Sequence, residues 1–328
     1  MSDLDLLKKL ERKVGSAFPH QLEGERCVEL ELGADDHPYY GLIRRHTPSE
    51  KQEIVTLIGR LTGLRRLNLR RNKLGQLPDN FRNLRELEQL NLGSNYLGDV
   101  PEQIRGFSKL KYLHLGNDDI TDLPAWFGDF AQLEYLTLHK NLKLKSVEVL
   151  AAQTSLRTLN IYFLNLGRLP KFIYELKNLV TLNLWNINDL SDDVGRLANL
   201  EFFSLCGTPG MRTLPDGFTR LKKLRMTRLF QNNLEQLPAN IGDLENLEQI
   251  SLYQNKLSAL PDSMTRLKKL TKLNLGWNCF ETLPVWIHQM TSLQWLAVFE
   301  NPLRSDVTIT LPPATHVARA WPFTTLHN

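Results

Sequence analysis

A leucine returns at Leu64, Leu87, Leu110, Leu133, Leu156 and Leu179, each 23 residues after the last. The series continues at Leu200, Leu224, Leu247, Leu270 and Leu293, with one interval of 21 and one of 24 residues before the period is restored. A unit this short cannot enclose its own apolar side chains, so such units stack into a solenoid with one continuous core and ends that need covering. Length and composition, 328 residues with 42% hydrophobic, leave one extended core or two ordinary ones open. The period decides between them.

A clean unit runs from Leu247 to Leu267 and reads LxxLxLxxNxLxxLPxxIxxL. Its LxL alternation is a short strand with every second side chain inward, so Ile250 and Leu252, at the fourth and sixth places, fill the core. The ninth-place asparagines, Asn72, Asn95, Asn141, Asn232, Asn255, Asn278 and Asn301, can serve backbone groups where the chain leaves the strand, and stacked they form a ladder. The proline after the fourteenth-place leucine ends strand-like pairing, and the apolar spacing that follows suits a short helical turn on the outer side.

This motif resembles the intracellular leucine-rich-repeat class of Ras-suppressor-like proteins, plant Ras-group-related proteins and the repeat arm of bacterial Roco GTPases. The match covers about residues 54 to 303. The resemblance implies an α/β leucine-rich-repeat solenoid, a horseshoe with a parallel concave sheet and short helical or 3-10 turns on the convex side. It implies no GTPase activity, because that chemistry belongs to a separate domain.

The repeats set the expected boundaries. Residues 1–26 form an N-terminal helical cap, with Leu6, Leu7, Leu10 and Val14 on one helical face. The repeat domain spans 27–303 with about twelve repeats, the first marked by Cys27, Leu30, Leu32 and Asp35 and followed by an insertion, 36–53, expected as a surface loop. Residues 304–328 form a C-terminal cap in which Val307, Ile309 and Leu311 alternate as a strand before Trp321.

Function should lie on the concave strand face, paved by the third, fifth, seventh and eighth places. Aromatic residues gather there: Tyr112, Tyr135, Phe202 and Trp295 at the third place; Tyr162, Trp185, Phe230, Tyr253 and Phe299 at the seventh, with His139; Phe163 and Trp277 at the eighth. Cys206 also falls at the seventh place. Half-exposed sheets ordinarily turn polar groups outward, so this stripe points to a protein or peptide partner, although rings stacking across strands would need no ligand. Leu164, Ile187 and Thr208 replace the ladder asparagine among the repeats of irregular length, which places the expected anchor around Tyr162, Phe163, Trp185, Phe202 and Phe230 and a change of curvature there.

Arg66, Arg70, Arg71 and Lys73 form a secondary basic patch, read first as a solvated charged end. With 40 Lys and Arg against 36 Asp and Glu, the net charge of +4 argues against nucleic acid as the partner. No phosphate loop, nucleophile elbow or HExxH helix occurs, and His114 with His139 supplies too few donors for a metal, so no catalytic centre, cofactor or metal is expected. Three scattered cysteines, an acidic start and the lack of an 18-residue apolar run point to a cytoplasmic protein that does not insert into a membrane, or to an effector delivered into a host cytoplasm. The resulting expectation is an interaction scaffold; its rival is a regulator or targeting arm for an enzyme such as a small GTPase or a ubiquitin-pathway component.

Overall fold

The computed structural model describes residues 1–33, 41–304 and 315–318. The chain divides into two compact units, Met1–Asn165 and Leu166–Asn328.

The first unit opens with helix α1 (Asp3–Val14). Its N-terminus is a capping box in which Ser2 and Asp5 each serve the other's backbone N–H, and Gly15 ends it in the left-handed region at φ 80°. The helix buries Leu6, Leu7, Leu10 and Val14. An antiparallel hairpin follows, β1 (His20–Glu23) and β2 (Arg26–Glu31). Strand β2 then pairs in parallel with β3 (Arg66–Asn68), setting Leu30 opposite Leu67. Parallel pairing continues through β4 (Gln89–Asn91), β5 (Tyr112–His114), β6 (Tyr135–Thr137) and β7 (Thr158–Asn160), one strand per repeat and always in register by fourth-place leucines. A 3-10 turn follows each of β3 to β7 and buries an apolar residue such as Phe81, Ile104 or Phe127.

The insertion differs from the expected surface loop. Ile43 is fully buried and its N–H donates to Asn72 Oδ1 at 2.9 Å. Helix α2 (Pro48–Ile58) begins inside the insertion, with Thr47 and Glu50 as a capping box and Pro48 in its first turn. It buries Ile54, Val55 and Ile58 and packs against α1 and the 3-10 turn of the first repeat. Asp35 and residues 36–40 lie outside the described residues.

The second unit repeats the scheme with β8 (Thr181–Trp185), β9 (Phe202–Cys206), β10 (Met226–Arg228), β11 (Gln249–Ser251), β12 (Lys272–Asn274), β13 (Trp295–Ala297) and β14 (His316–Ala318), all parallel. Strands β8 and β9 pair over five residues where the other repeats have three. These repeats carry Ile187 and Thr208 at the ladder place, both buried. Val307, Ile309, Leu311 and Trp321 lie outside the described residues, and the described terminal strand, β14, is a later segment than the one expected.

The ladder runs from Asn72 to Asn141 in the first unit and from Thr208 to Asn301 in the second. Asn72 N–H donates to Asn95 Oδ1 at 3.0 Å, Asn95 N–H to Asp118 Oδ1 at 2.5 Å, and Asp118 N–H to Asn141 Oδ1 at 3.0 Å. In the second unit, Asn232 accepts from the ladder-place Thr208 N–H, while Asn255, Asn278 and Asn301 accept from Leu234, Leu257 and Phe280, each two residues past the ladder place. Each amide nitrogen donates to two sixth-place carbonyls, as Asn141 does to Leu115 and Leu138, both at 2.8 Å.

Candidate protein-binding face

In the first unit, the register of β5 against β6 sets Tyr112 opposite Tyr135. The two rings stack with centroids 4.2 Å apart and planes at 12°, and both stay half-buried. Four residues along the same strand path, His139 leans over Gly116, where any Cβ would collide with its ring. His114 lies over Gly93 in the same manner: a Cβ there would sit 2.7 Å from its Nε2. The imidazole centroids are 5.3 Å apart. Burial, then the charges of Lys140 and Arg70, holds His139 down to about 4; burial, His139 and the neighbouring arginines hold His114 down to about 3. Both rings are therefore neutral near pH 7. Tyr162 meets Phe163 edge to face at 4.5 Å, and Lys140 Nζ stands 5.9 Å from the Phe163 centroid.

In the second unit, Trp185 rests on Gly207, where an added Cβ would sit 2.5 Å from the indole. The Arg228 guanidinium covers the Phe202 ring at 5.3 Å. Phe230, Tyr253 and Trp295 are half-buried, and Trp277 is the most open of the predicted rings at 47% exposure. Phe299 departs from expectation. It is only 4% exposed, lying over Gly276 beside Ala297 and Ala318 with Tyr253 and Trp295 packed against it. Cys206, also expected outward, is fully buried, and burial pushes its thiol up to about 11.

The basic patch resolves into two parts. Arg66 is held by Glu29 and Gln21, with its Nε donating to Glu29 at 2.9 Å. Arg70, Arg71 and Lys73 instead line a cleft with Arg44, Ser94, Tyr96, Asn117, His139 and Lys140. Among the described residues no group of three or more His, Cys, Asp or Glu side chains is placed to hold a metal ion. No described helix is long and apolar enough to cross a membrane.

A family model described as a leucine-rich repeat region matches residues 45–168 and 216–310, about two thirds of the chain. The chain belongs to the leucine-rich-repeat family. Comparison with curated proteins gives no match. Among solved structures, an internalin from Listeria monocytogenes is 19% identical with a TM-score of 0.67, covering 90% of this chain and 82% of that one. The ectodomain of the Arabidopsis receptor kinase HAESA, solved with a peptide hormone, is 23% identical with a TM-score of 0.71, covering 91% of this chain and 53% of that one. The Arabidopsis thaliana GASSHO1/SCHENGEN3 ectodomain, solved with CASPARIAN STRIP INTEGRITY FACTOR 2, is 26% identical with a TM-score of 0.61, covering 75% of this chain and 31% of that one. The chain thus spans about half or less of the plant ectodomains.

Two columns of the leucine-rich repeat behave differently from the simple alternation. Fifth-place residues were expected on the open face, yet Asn68, Asn91, His114, Thr137, Ser204, Asn274 and Ala297 are buried. With strands about 4.8 Å apart, longer side chains at the third and seventh places close over this middle column. Its asparagines work locally: Asn68, Asn91, Asn160 and Asn274 each accept the N–H of their seventh-place neighbour at 3.0 to 3.2 Å. Eighth-place residues, from Arg71 through Phe163 and Trp277 to Glu300, all have positive φ, so this column is the left-handed turn off the strand. The sequence signal for both was present, as asparagine recurring two residues before the seventh place and glycine at the eighth place of one repeat. Asp118, at the ladder place of the third repeat, is fully buried and belongs to the structural set that pattern reading passed over.

Proposed function

We propose that this chain is a binding module that grips a polypeptide partner on the strand face of its repeats. The observation that carries the reading is the half-exposed ring set on each unit: Tyr112, Tyr135, Tyr162 and Phe163 on the first, and Trp185, Phe202, Phe230, Tyr253, Trp277 and Trp295 on the second. Tyr112 and Tyr135 hold each other in their stack, and Trp185 rests on the glycine floor of Gly207. Fixed aromatic surface loses little side-chain freedom on binding, which is why rigid rings dominate interface energetics. Phe299 falls outside this set because it is already covered, and His139 contributes a neutral ring rather than a charge. The GASSHO1/SCHENGEN3 ectodomain, solved in complex with CASPARIAN STRIP INTEGRITY FACTOR 2, supports a binding role for the fold. A phage-displayed peptide library selected against the full chain tests the proposal. Tyr135→Ala, Phe230→Ala and Trp277→Ala should each weaken capture about tenfold or more, in line with about 1.5–2 kcal/mol for an anchor ring, with melting temperature little changed. Capture that all three variants leave intact refutes it. Adding a captured enzyme's own assay to the same variants separates passive scaffolding from regulation.

A further inference from the structure

From the Leu64 repeat to the Leu293 repeat, the fifth place holds asparagine, serine, threonine, alanine and the neutral His114, with one exception, Arg228 on β10. Much of that column is closed over by its neighbours, whereas Arg228 is half-buried and reaches the open face of the second unit. Its guanidinium stacks on Phe202. Stacking uses the plane of the group and leaves the N–H donors on its edge, and among the described residues that edge makes no hydrogen bond and no ion pair. The strand register sets Arg228 between Ser204 and Ser251. Ser204 Oγ lies 3.4 Å from Cys206 Sγ, while the half-buried Ser251 has a hydroxyl without a hydrogen bond among the described residues. No acid on the face answers the charge. The third, fifth and seventh places of the repeats from Leu179 to Leu293 hold Arg228 and Lys272 and no carboxylate. At the second place, Glu248 pairs with Arg225 at 2.9 Å and Glu201 adds to the field on that same arginine. Glu300, at an eighth place, belongs to the repeat of β13, three strands from β10.

We propose that Arg228 receives the carboxylate of an aspartate or glutamate side chain carried within an otherwise apolar partner segment, a refinement that rests on the binding-module reading above. A guanidinium edge takes a carboxylate through two parallel N–H bonds, and the Ser251 hydroxyl stands one strand away, about 4.8 Å, to add a third donor. One fork and one hydroxyl match the single charge of a carboxylate better than the charge of about −1.5 to −2 on a phosphomonoester. The rings flank Arg228 on both sides: Trp185 and Phe202 on the two preceding strands, Phe230 on its own strand, and Trp295 on β13. From β8 to β13 is about 24 Å at ~4.8 Å per strand, the reach of about seven extended residues. A segment that covers these rings therefore continues past Arg228 in both directions, so the acid it presents is a side chain and not a chain end. The apolar rings bind its neighbours, and the guanidinium sets its register.

Capture by the immobilised full chain tests the proposal, with two pools of degenerate peptides long enough to span the rings, acetylated and amidated at their ends. One pool carries a central glutamate and the other a central glutamine. The glutamate pool should be retained about tenfold more strongly, the scale of a charge-assisted hydrogen-bonded pair. Arg228→Gln should erase that preference at unchanged melting temperature, and Arg228→Lys, which keeps the charge and loses the fork, should keep part of it. Ser251→Ala, with a smaller loss of preference, gives a second reading should Arg228→Gln fold poorly. Equal retention of the two pools overturns the proposal, as does a preference that Arg228→Gln and Ser251→Ala both leave intact. Retention confined to a glutamine pool with a free terminal carboxylate overturns it too, as does tighter retention of a phosphoserine pool or of heparin. Equal retention that Phe230→Ala still weakens sinks the Arg228 site and leaves the face reading standing. A glutamate preference lost in Arg228→Gln, with capture indifferent to Tyr135→Ala, Phe230→Ala and Trp277→Ala, sinks the face reading instead. Retention of no pool at all sinks both.

Discussion

Asp118 stands in the ladder between Asn95 and Asn141, fully buried, with Oδ1 accepting from Asn95 N–H and Oδ2 without a hydrogen-bond partner. Repeat equivalence puts Oδ2 where asparagine has an amide nitrogen aimed at two carbonyls, a place that welcomes a proton and repels a negative charge. Burial accordingly raises its carboxyl to about 7 against backbone hydrogen bonds that pull it down. The folded chain thus holds a proton that the unfolded chain releases near 3.8. Stability on this account is highest below about pH 4, falls as pH rises between 4 and 7, and levels off above 7. At about 1.4 kcal/mol per pH unit, the loss reaches up to about 4 kcal/mol. Asp118→Asn restores the amide and should flatten that dependence, so its melting temperature exceeds the native one clearly at pH 8 and little at pH 4.5. An equal difference at both pH values contradicts this role. A ladder acid is readable as an exception to a column of asparagines, but its raised affinity for protons depends on burial that no residue pattern states.

The repeat element was the most legible part of the molecule, because fourth- and sixth-place leucines alternate inward and the ninth-place asparagine has an obvious partner in the next turn. Asn141→Ala checks the ladder directly: it strips the acceptor from the N–H groups of Asp118 and Ile120 and the donor from the carbonyls of Leu115 and Leu138. Orphaned buried groups cost about 1–3 kcal/mol each, so denaturant unfolding should show a loss of about 3 kcal/mol or more. A loss below about 1 kcal/mol shows that water serves those groups. Helix α2 is not legible in the repeat pattern because it begins in the insertion, outside the repeat period, even though Thr47-Pro48-Ser49-Glu50 writes its capping box. The fifth-place column escaped for a different reason: strand alternation gives direction, whereas burial depends on the reach of side chains one strand away.

At the scale of the whole molecule, the leucine-rich-repeat fold follows from period alone, while the candidate site follows from it only in part. Sequence place names which rings face away from the core, as Tyr135 and Trp277 do. It does not tell that Phe299 is buried in a cluster with Ala297 and Ala318 or that Arg66 is engaged by Glu29 while Arg70 and Arg71 line a shared cleft with Lys140. Those outcomes depend on contacts between residues far apart in sequence. A partner on the strand face meets Tyr135 or Trp277, whereas one on the outer 3-10 turns meets Val285, which stands 88% exposed. The decisive measurement places a photo-reactive benzoylphenylalanine at Tyr135, at Trp277 and, separately, at Val285, and irradiates each with the peptide that the full chain selects. Adducts are expected from Tyr135 or Trp277 and none from Val285; adducts confined to Val285 contradict binding on the strand face.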